Sequence, residues 1–191
     1  MIIPDYPIFT PRLYLRPFED RDLDDLYAFH SQPDVARFLY WNAQTLEETK
    51  QALERKKLEK SLTQEGSRLT LAVALKAVEK VIGEVSLVWR SREHQQGEVG
   101  FVFHPNYQGH GYAAEATEVI LGLGFEKFNL HRIFGRCDVR NAPSYKLMAR
   151  LGMRCEAHFV HNEFFKGEWG DEFVYAMLHD EWMAKKKLLS T

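Results

Sequence analysis

In GEVGFVFHPNYQGHGYAAEA, residues 97–116, one kind of segment runs straight into another. A run rich in β-branched and aromatic residues ends at His104-Pro105. Glycines come next at positions 109 and 111, and an alanine-rich helical pattern begins. A strand must therefore hand the chain to a helix through a turn that carries glycine. Glycine permits positive φ and leaves no side chain in the way. The first amides of a helix lack an intrahelical acceptor, and the helix dipole adds about half a positive charge there. The product is a site for an anion of phosphate size. The segment is not a Walker loop, because the Gly-Lys-Ser/Thr ending is missing, and it is not G-x-G-x-x-G. On these residues alone, a helix cap with glycines for a tight turn explains it equally well.

The rest of the chain supplies a sheet and helices around that turn. RLYLRP (12–17) alternates and reads as an edge strand ending at proline. EDRDLDDLYAFH (19–30) puts Leu23, Leu26 and Tyr27 at helical spacing. TLEETKQALERKKLEKSL (45–62) opens with Thr45 and carries Glu48 three residues on, a capping box at the start of the longest expected helix. RLTLAVALK (68–76) and VIGEVSLVWR (81–90) form a hairpin across AVEK, and GEVGFVFHP (97–105) is a third run of that kind. The spacing predicts a helix from Gly111 to about Phe128, then a strand in HRIFGRCDV (131–139). NAPSYKLMARLG (141–152) is a short helix with Asn141 as cap, Pro143 in the first turn and Gly152 just past the end. CEAHFVHNEFF (155–165) and DEFVYAMLH (171–179) are two more β-rich runs. The order β-α-α-β-β-β-α-β-α-β-β is that of a mixed α/β domain.

Composition fits one globular core: 191 residues, 45% hydrophobic and 27% charged. A formal charge of −2 argues against nucleic acid as the main partner. Two scattered cysteines, Cys137 and Cys155, suit reduced thiols better than a disulfide scaffold. MIIPDYPIFTPRL lacks a basic start leading into an apolar run, so no secretory signal is read. No apolar stretch reaches bilayer length. The expectation is a soluble, cytoplasmic, single domain over residues 1–191, with no nucleic-acid and no membrane partner.

QGHGYA (108–113) is similar to the Gln/Arg-x-x-Gly-x-Gly/Ala loop of the GNAT N-acetyltransferases. The chain resembles more narrowly the RimJ/RimL group, which acetylates protein N-termini. TPRLYLRPFEDRDLDDL, IGEVSL, GEVGFVFHPNYQGHGYAAEA, NLHRIFGRCDVRNAPSYKLMARLGM and FKGEWGDEFVYAMLHDEW agree with that group in order, over nearly the whole chain. The resemblance implies an α/β (α+β) GNAT fold. Its single mixed, mostly antiparallel sheet has about six to seven strands flanked by helices, with a splayed central strand pair. It implies acetyl-CoA as co-substrate, no metal, and an acceptor that is a protein N-terminus or a small amine. It also brings a homodimer as an expectation.

Carried over residue by residue, the resemblance gives the diphosphate of CoA to the backbone of Gln108, Gly109, His110, Gly111, Tyr112 and Ala113. It gives the pantetheine arm to the strand Phe101, Val102 and Phe103, one amide of which polarises the thioester carbonyl. Asn141 bonds the pantetheine, and Lys146 and Arg150 are candidates for the outer phosphate, with a solvated helix face as the alternative for both. One departure stands out. Many members carry a tyrosine on the helix after that Asn to protonate the leaving thiolate; the matching residue here is Met148, and Tyr145 points elsewhere. In the RimJ/RimL group the serine of Asn-x-x-Ser acts on the thiolate, which is Ser144 here.

A base is needed because only a neutral amine attacks. A lysine must lose about 3.4 units of proton affinity at pH 7, roughly 4.6 kcal/mol, whereas an α-amino group needs about 1 unit, roughly 1.4 kcal/mol. A terminal amine therefore asks little of its base. Glu98, at the start of the strand beside the pantetheine, is the first candidate and Glu84 in the neighbouring strand the second, on the acceptor side. His104 shares parity with Glu98 but lies near the diphosphate end. A solvent-facing strand residue is the alternative for each. Tyr40 and Trp41, in RFLYWN, match the region that builds the family's acceptor pocket, with core packing as the equal alternative; Trp169 lines the acceptor side or steadies the last hairpin. His158 and His161 are three apart on a strand and face opposite sides, so with Glu163 they make no metal site. Cys137 reads as a small buried hydrophobe, not an acyl carrier.

Overall fold

The computed structural model describes residues 3–189; Met1, Ile2, Ser190 and Thr191, the ends of the expected domain span, lie outside them. β3 (Arg68–Leu75) and β4 (Lys80–Ser91) are buried at nearly every position, so both faces of their sheet need cover. Leu69, Leu71, Val73, Val85 and Leu87 face one way, into the core closed by α4 (Tyr112–Gly122), while α5 (Ala142–Arg150) and α6 (His179–Leu189) extend that core over the later strands. Ile120, Leu121, Met148 and Trp182 come down from those helices to close that core. Ala72, Ala74 and Val81 face the other way, onto Leu26 and Phe29 of α1 (Leu23–His30) and Leu53 of α3 (Leu46–Leu58). The short α2 (Pro33–Ala36) comes after α1.

The other strands are β1 (Ile8–Phe9), β2 (Leu13–Arg16), β5 (Gln96–Phe103), β6 (Arg132–Asp138), β7 (Arg154–Phe165) and β8 (Glu168–Leu178). They complete one mixed sheet in the order β1-β2-β3-β4-β5-β6-β8-β7. Only β5 and β6 run parallel, joined by the α4 crossover that parallel neighbours require. Lys166 and Gly167, at φ 49° and 91°, close the β7–β8 hairpin in the left-handed geometry that suits strand twist. The capping box at Thr45 is present, with Thr45 accepting from the Glu48 amide and Glu48 reaching back.

The sheet has eight strands where six to seven are expected, and RLYLRP is not its edge. β1 covers it, pairing Ile8 with Leu15 and Phe9 with Tyr14; a strand of two residues has no periodicity to read. The helix expected over 45–62 stops at Leu58, because the sheet claims the residues just past it: Glu59 accepts from the Thr70 amide, and Lys60 bridges to Leu69. α6 has no counterpart among the expected elements. Its lysine-rich stretch shows no apolar stripe, and the helix docks mainly through Trp182, stacked on Phe125 at 5.8 Å.

Candidate active site

The parallel ladder between β5 and β6 is short: Gln96 with Arg132, Gly97 with Ile133, Glu98 with Phe134. Beyond Glu98, β5 stays with β4 as far as Phe103, while β6 stays with β8 as far as Asp138. The two central strands therefore part, and the β6-facing edge of β5 from Val99 to Phe103 has no strand partner. An unpaired edge offers alternating N–H and C=O groups to any extended chain laid along it. This is the splayed pair that the family resemblance calls for. Phe101 and Phe103 turn toward α4, and Val102 turns to the α1 side.

At the far end of that edge lies the glycine turn. Gly109 and Gly111 sit at φ 79° and 82°, and Gly111 is the N-cap of α4. Among the described residues, no acceptor takes the N–H groups of Gly109, His110, Gly111, Tyr112, Ala113 or Ala114. A Cβ on Gly109 would meet nothing within 4 Å, so the loop is open on that side. Gln108 does not face outward with its side chain; its Nε2 donates to Phe103 O at 3.0 Å and ties the loop to β5. Open amides at a helix N-terminus are the anion site that the sequence suggests.

α5 begins on the opposite bank. Asn141 caps it, with its side chain accepting from the Ser144 amide. The Ser144 hydroxyl has no partner among the described residues. Tyr145 packs edge-on against Phe173 at 5.6 Å, and Lys146 and Arg150 are exposed. Met148 is 1% exposed and wedged against Gly135 of β6, where a Cβ would stand 2.6 Å from its sulfur. A thioether has no proton to give, so the helix offers no acid at that position.

On the α1 side of the split is a cavity of about 90 Å³. Glu98, Asp138, Glu163, Asp171, Glu172 and Arg136 line it, with Phe38, Tyr40 and Phe165 as apolar wall; Asp138 pairs with Arg140 at 2.7 Å and Asp171 with His158. Both Glu98 oxygens are occupied: Arg90 Nε lies at 2.6 Å and Arg136 Nε at 3.2 Å. Glu172, 12% exposed, accepts from Asn162 Nδ2 at 3.0 Å and stands 3.4 Å from Arg136. Burial raises its carboxyl above the usual glutamate range; Arg136 opposes this, and Glu163 and Glu98 add to it. β8 lies between β6 and β7, so Glu172 comes directly opposite Asp138. Nothing in the local sequence marks Glu172. Tyr40 donates to Glu163 at 2.7 Å, and burial with that contact pushes Tyr40 up to about 12. Lys166, at the β7–β8 tip, donates to Ala36 O and Trp41 O and holds the wall in place.

Glu84 and Trp41 belong to a neighbouring cluster outside the cavity lining. Trp41 stacks on the buried His30 at 4.6 Å. Glu84 is 8% exposed, with Lys56 Nζ at 2.8 Å and His30 Nε2 at 3.7 Å. Burial works to raise the Glu84 carboxyl, but Lys56 and His30 outweigh it and hold it down at about 2. An unfolded glutamate titrates near about 4.3, so the pair's contribution to stability is complete above that value and is lost as pH falls toward 2. Glu84→Gln is expected to cost about 3 kcal/mol in urea unfolding at pH 7, because Lys56 loses its partner. The gap to wild type narrows as pH falls below about 4 and closes only near about pH 2; a gap that ignores pH would contradict this.

His158 lies 3.5 Å from Asp171, and a bulge between Phe159 and Glu163 turns His161 to φ 49°. The described residues hold no group of three or more His, Cys, Asp or Glu placed around a common metal position. Burial pushes the Cys137 thiol up to about 12, and a protonated thiol is a poor nucleophile. His104 caps the turn after β5, accepting from the Asn106 amide. Trp169 is 58% exposed and packs edge-on with Phe164 near the hairpin tip. No helix among the described residues is long and apolar enough to cross a membrane.

Comparison with known proteins agrees with this architecture. The family model described as an acetyltransferase (GNAT) domain matches residues 12–154. The uncharacterized N-acetyltransferase YnaD of Bacillus subtilis is 36% identical over 175 residues, 92% of this chain and 98% of that protein. The spermidine N(1)-acetyltransferase of Escherichia coli K12 is 26% identical over 105 residues, 55% of this chain and 56% of that protein. The solved ribosomal-protein-S5-alanine acetyltransferase of Vibrio fischeri superposes with a TM-score of 0.77 at 25% identity, covering 93% of this chain and 99% of that one. With the split sheet, the left-handed glycine turn and the family match falling on the same residues, this chain belongs to the GNAT family and is an acetyl-CoA-dependent N-acyltransferase.

Proposed function

We propose that the acceptor is a cationic primary amine that reaches the split from the α1 side, and that its first class is the α-amino group of a protein N-terminus. The observation that carries this reading is the cavity beside the split, lined by five carboxylates, of which Glu98, Glu163 and Glu172 are ion-paired with Arg136, while Asp138 pairs with Arg140 and Asp171 with His158. Such a lining draws an ammonium group and lowers the cost of desolvating it. The RimJ/RimL-like subtype and a cytoplasmic site of action belong to the same reading.

Acetyl-CoA supplies the acetyl thioester. The loop suits it: open amides from Gly109 to Ala114 at a helix N-terminus fit a diphosphate, and the free edge of β5 fits the pantetheine arm. An amide from that edge polarises the thioester carbonyl. Glu172, rather than Glu98, takes the amine's proton, since two guanidinium groups already hold Glu98. Glu98 then serves to fix Arg136. For an α-amino group the transfer is short, because that amine sits within about 1 unit of neutral pH. The Ser144 hydroxyl donates to the departing thiolate. Ser144→Ala is accordingly expected to lower kcat roughly tenfold with the KM for acetyl-CoA within about twofold. Unchanged turnover would remove Ser144 from the mechanism.

A second reading draws on the same cavity. Arg90, Arg136 and Arg140 pair with carboxylates of the lining, and five carboxylates less three guanidinium groups leave an excess of two negative charges, more than a single ammonium requires, which favours a small polyamine; the Escherichia coli relative is named for spermidine. The deciding experiment is mass-spectrometric acetylation of a mixed panel with acetyl-CoA: peptides with free N-termini, N-blocked lysine peptides, polyamines and aminoglycosides. Acetylated N-terminal peptides support the first reading. Acetylated polyamines alone replace it with the second. No product from any acceptor, with acetyl-CoA shown to bind, would overturn both.

A further inference from the structure

Arg12, just ahead of β2, touches the glycine loop from outside it. Its Nη1 donates to His110 O at 2.8 Å, and its Nε donates to Glu115 Oε2 at 2.7 Å. Its backbone N–H donates to Glu115 Oε1 at 2.9 Å, where the Thr10 hydroxyl also donates at 2.6 Å. Its guanidinium lies 4.6 Å from the centre of the Tyr112 ring. These contacts join residues about a hundred positions apart, and they converge on the loop and the first turn of α4, where the open amides lie.

We infer that Arg12 is a positioning residue that holds the loop in its anion-accepting form. The inference rests on the reading of that loop as the diphosphate site. The two glycines of the Gly-His-Gly segment give it more backbone freedom than most segments of its length, and freezing it is costly. A trans peptide is rigid, and its C=O and N–H point in opposite directions. Anchoring His110 O on Arg12 therefore turns the Gly111 N–H to the other side, away from the anchor. The second effect is electrostatic. Glu115 places a carboxylate in the first turn of the helix whose N-terminus is to receive an anion. Arg12 and Thr10 take both its oxygens. Burial works to raise the Glu115 carboxyl, and these contacts outweigh it and keep it ionised but compensated. Without Arg12, the loop loses its anchor and the anion faces an uncompensated charge.

The test is calorimetric binding of CoA and of pantetheine, which lacks the diphosphate and the nucleotide beyond it, to the full-length chain. Arg12→Ala is expected to weaken CoA roughly tenfold while pantetheine changes by less than about twofold. Arg12→Lys is expected to behave like Arg12→Ala, because one ammonium cannot span the carbonyl and the carboxylate as the guanidinium fork does; it stands in should the alanine variant not fold. Adding Glu115→Gln to Arg12→Ala should recover part of the loss, since the repelling charge is gone. Equal weakening of CoA and pantetheine would reduce Arg12 to a structural tie and overturn the inference, as would no weakening at all. Should wild type itself bind CoA no better than pantetheine, the loop reading fails, and the inference with it.

Discussion

Gly111→Asp is expected to abolish CoA binding, weakening it by more than about a hundredfold in a calorimetric titration. Three effects act together. Gly111 sits at φ 82°, where a side chain is strained at a cost of about 1–3 kcal/mol. Its Cβ would stand 3.3 Å from Arg12 Nη2, so the new carboxylate competes with Glu115 and His110 O for that guanidinium. The remaining charge lies among the amides that are to receive the diphosphate. Gly111→Ala separates the terms, since it keeps the strain and omits the charge. It should weaken binding clearly less than aspartate does. Retained CoA binding by Gly111→Asp would place the anion elsewhere.

Glu172→Gln is expected to lower kcat/KM about a hundredfold at pH 7, the usual worth of a positioned base. The side chain keeps its shape and its contact with Asn162, so folding is little affected. The pH profile carries the stronger information. Burial raises the Glu172 carboxyl, which makes its carboxylate a better proton acceptor than an exposed glutamate. Above the acceptor's own pKa the amine arrives already neutral, and the deficit of the variant should shrink. A deficit that stays constant with pH, or no deficit, would return the role to Glu98 or to water.

Much of the candidate site is legible in the chain because it is local. The strand, glycine turn and helix lie within residues 97–116, and Gly111 does adopt the left-handed conformation that the turn suggests. The Asn141 cap, the Thr45 capping box and the seven longer strands come from spacing within a few residues. The substitution at Met148 is visible in the sequence, but its consequence is not. Only packing shows that the thioether is buried against Gly135.

The set of elements and the loop chemistry can be read along the chain, since capping, turns and alternation depend on near neighbours. Which distant residues meet is a matter of tertiary packing. The ladder between β5 and β6 stops at Glu98 and Phe134, and β8 inserts beside β6 and carries Glu172 opposite Asp138. Arg12 reaches Glu115, and Tyr40 reaches Glu163. No periodicity encodes these pairings. They arise because each strand takes the neighbour that buries most apolar surface across the whole sheet, and the polar groups left at the split find partners where that packing puts them.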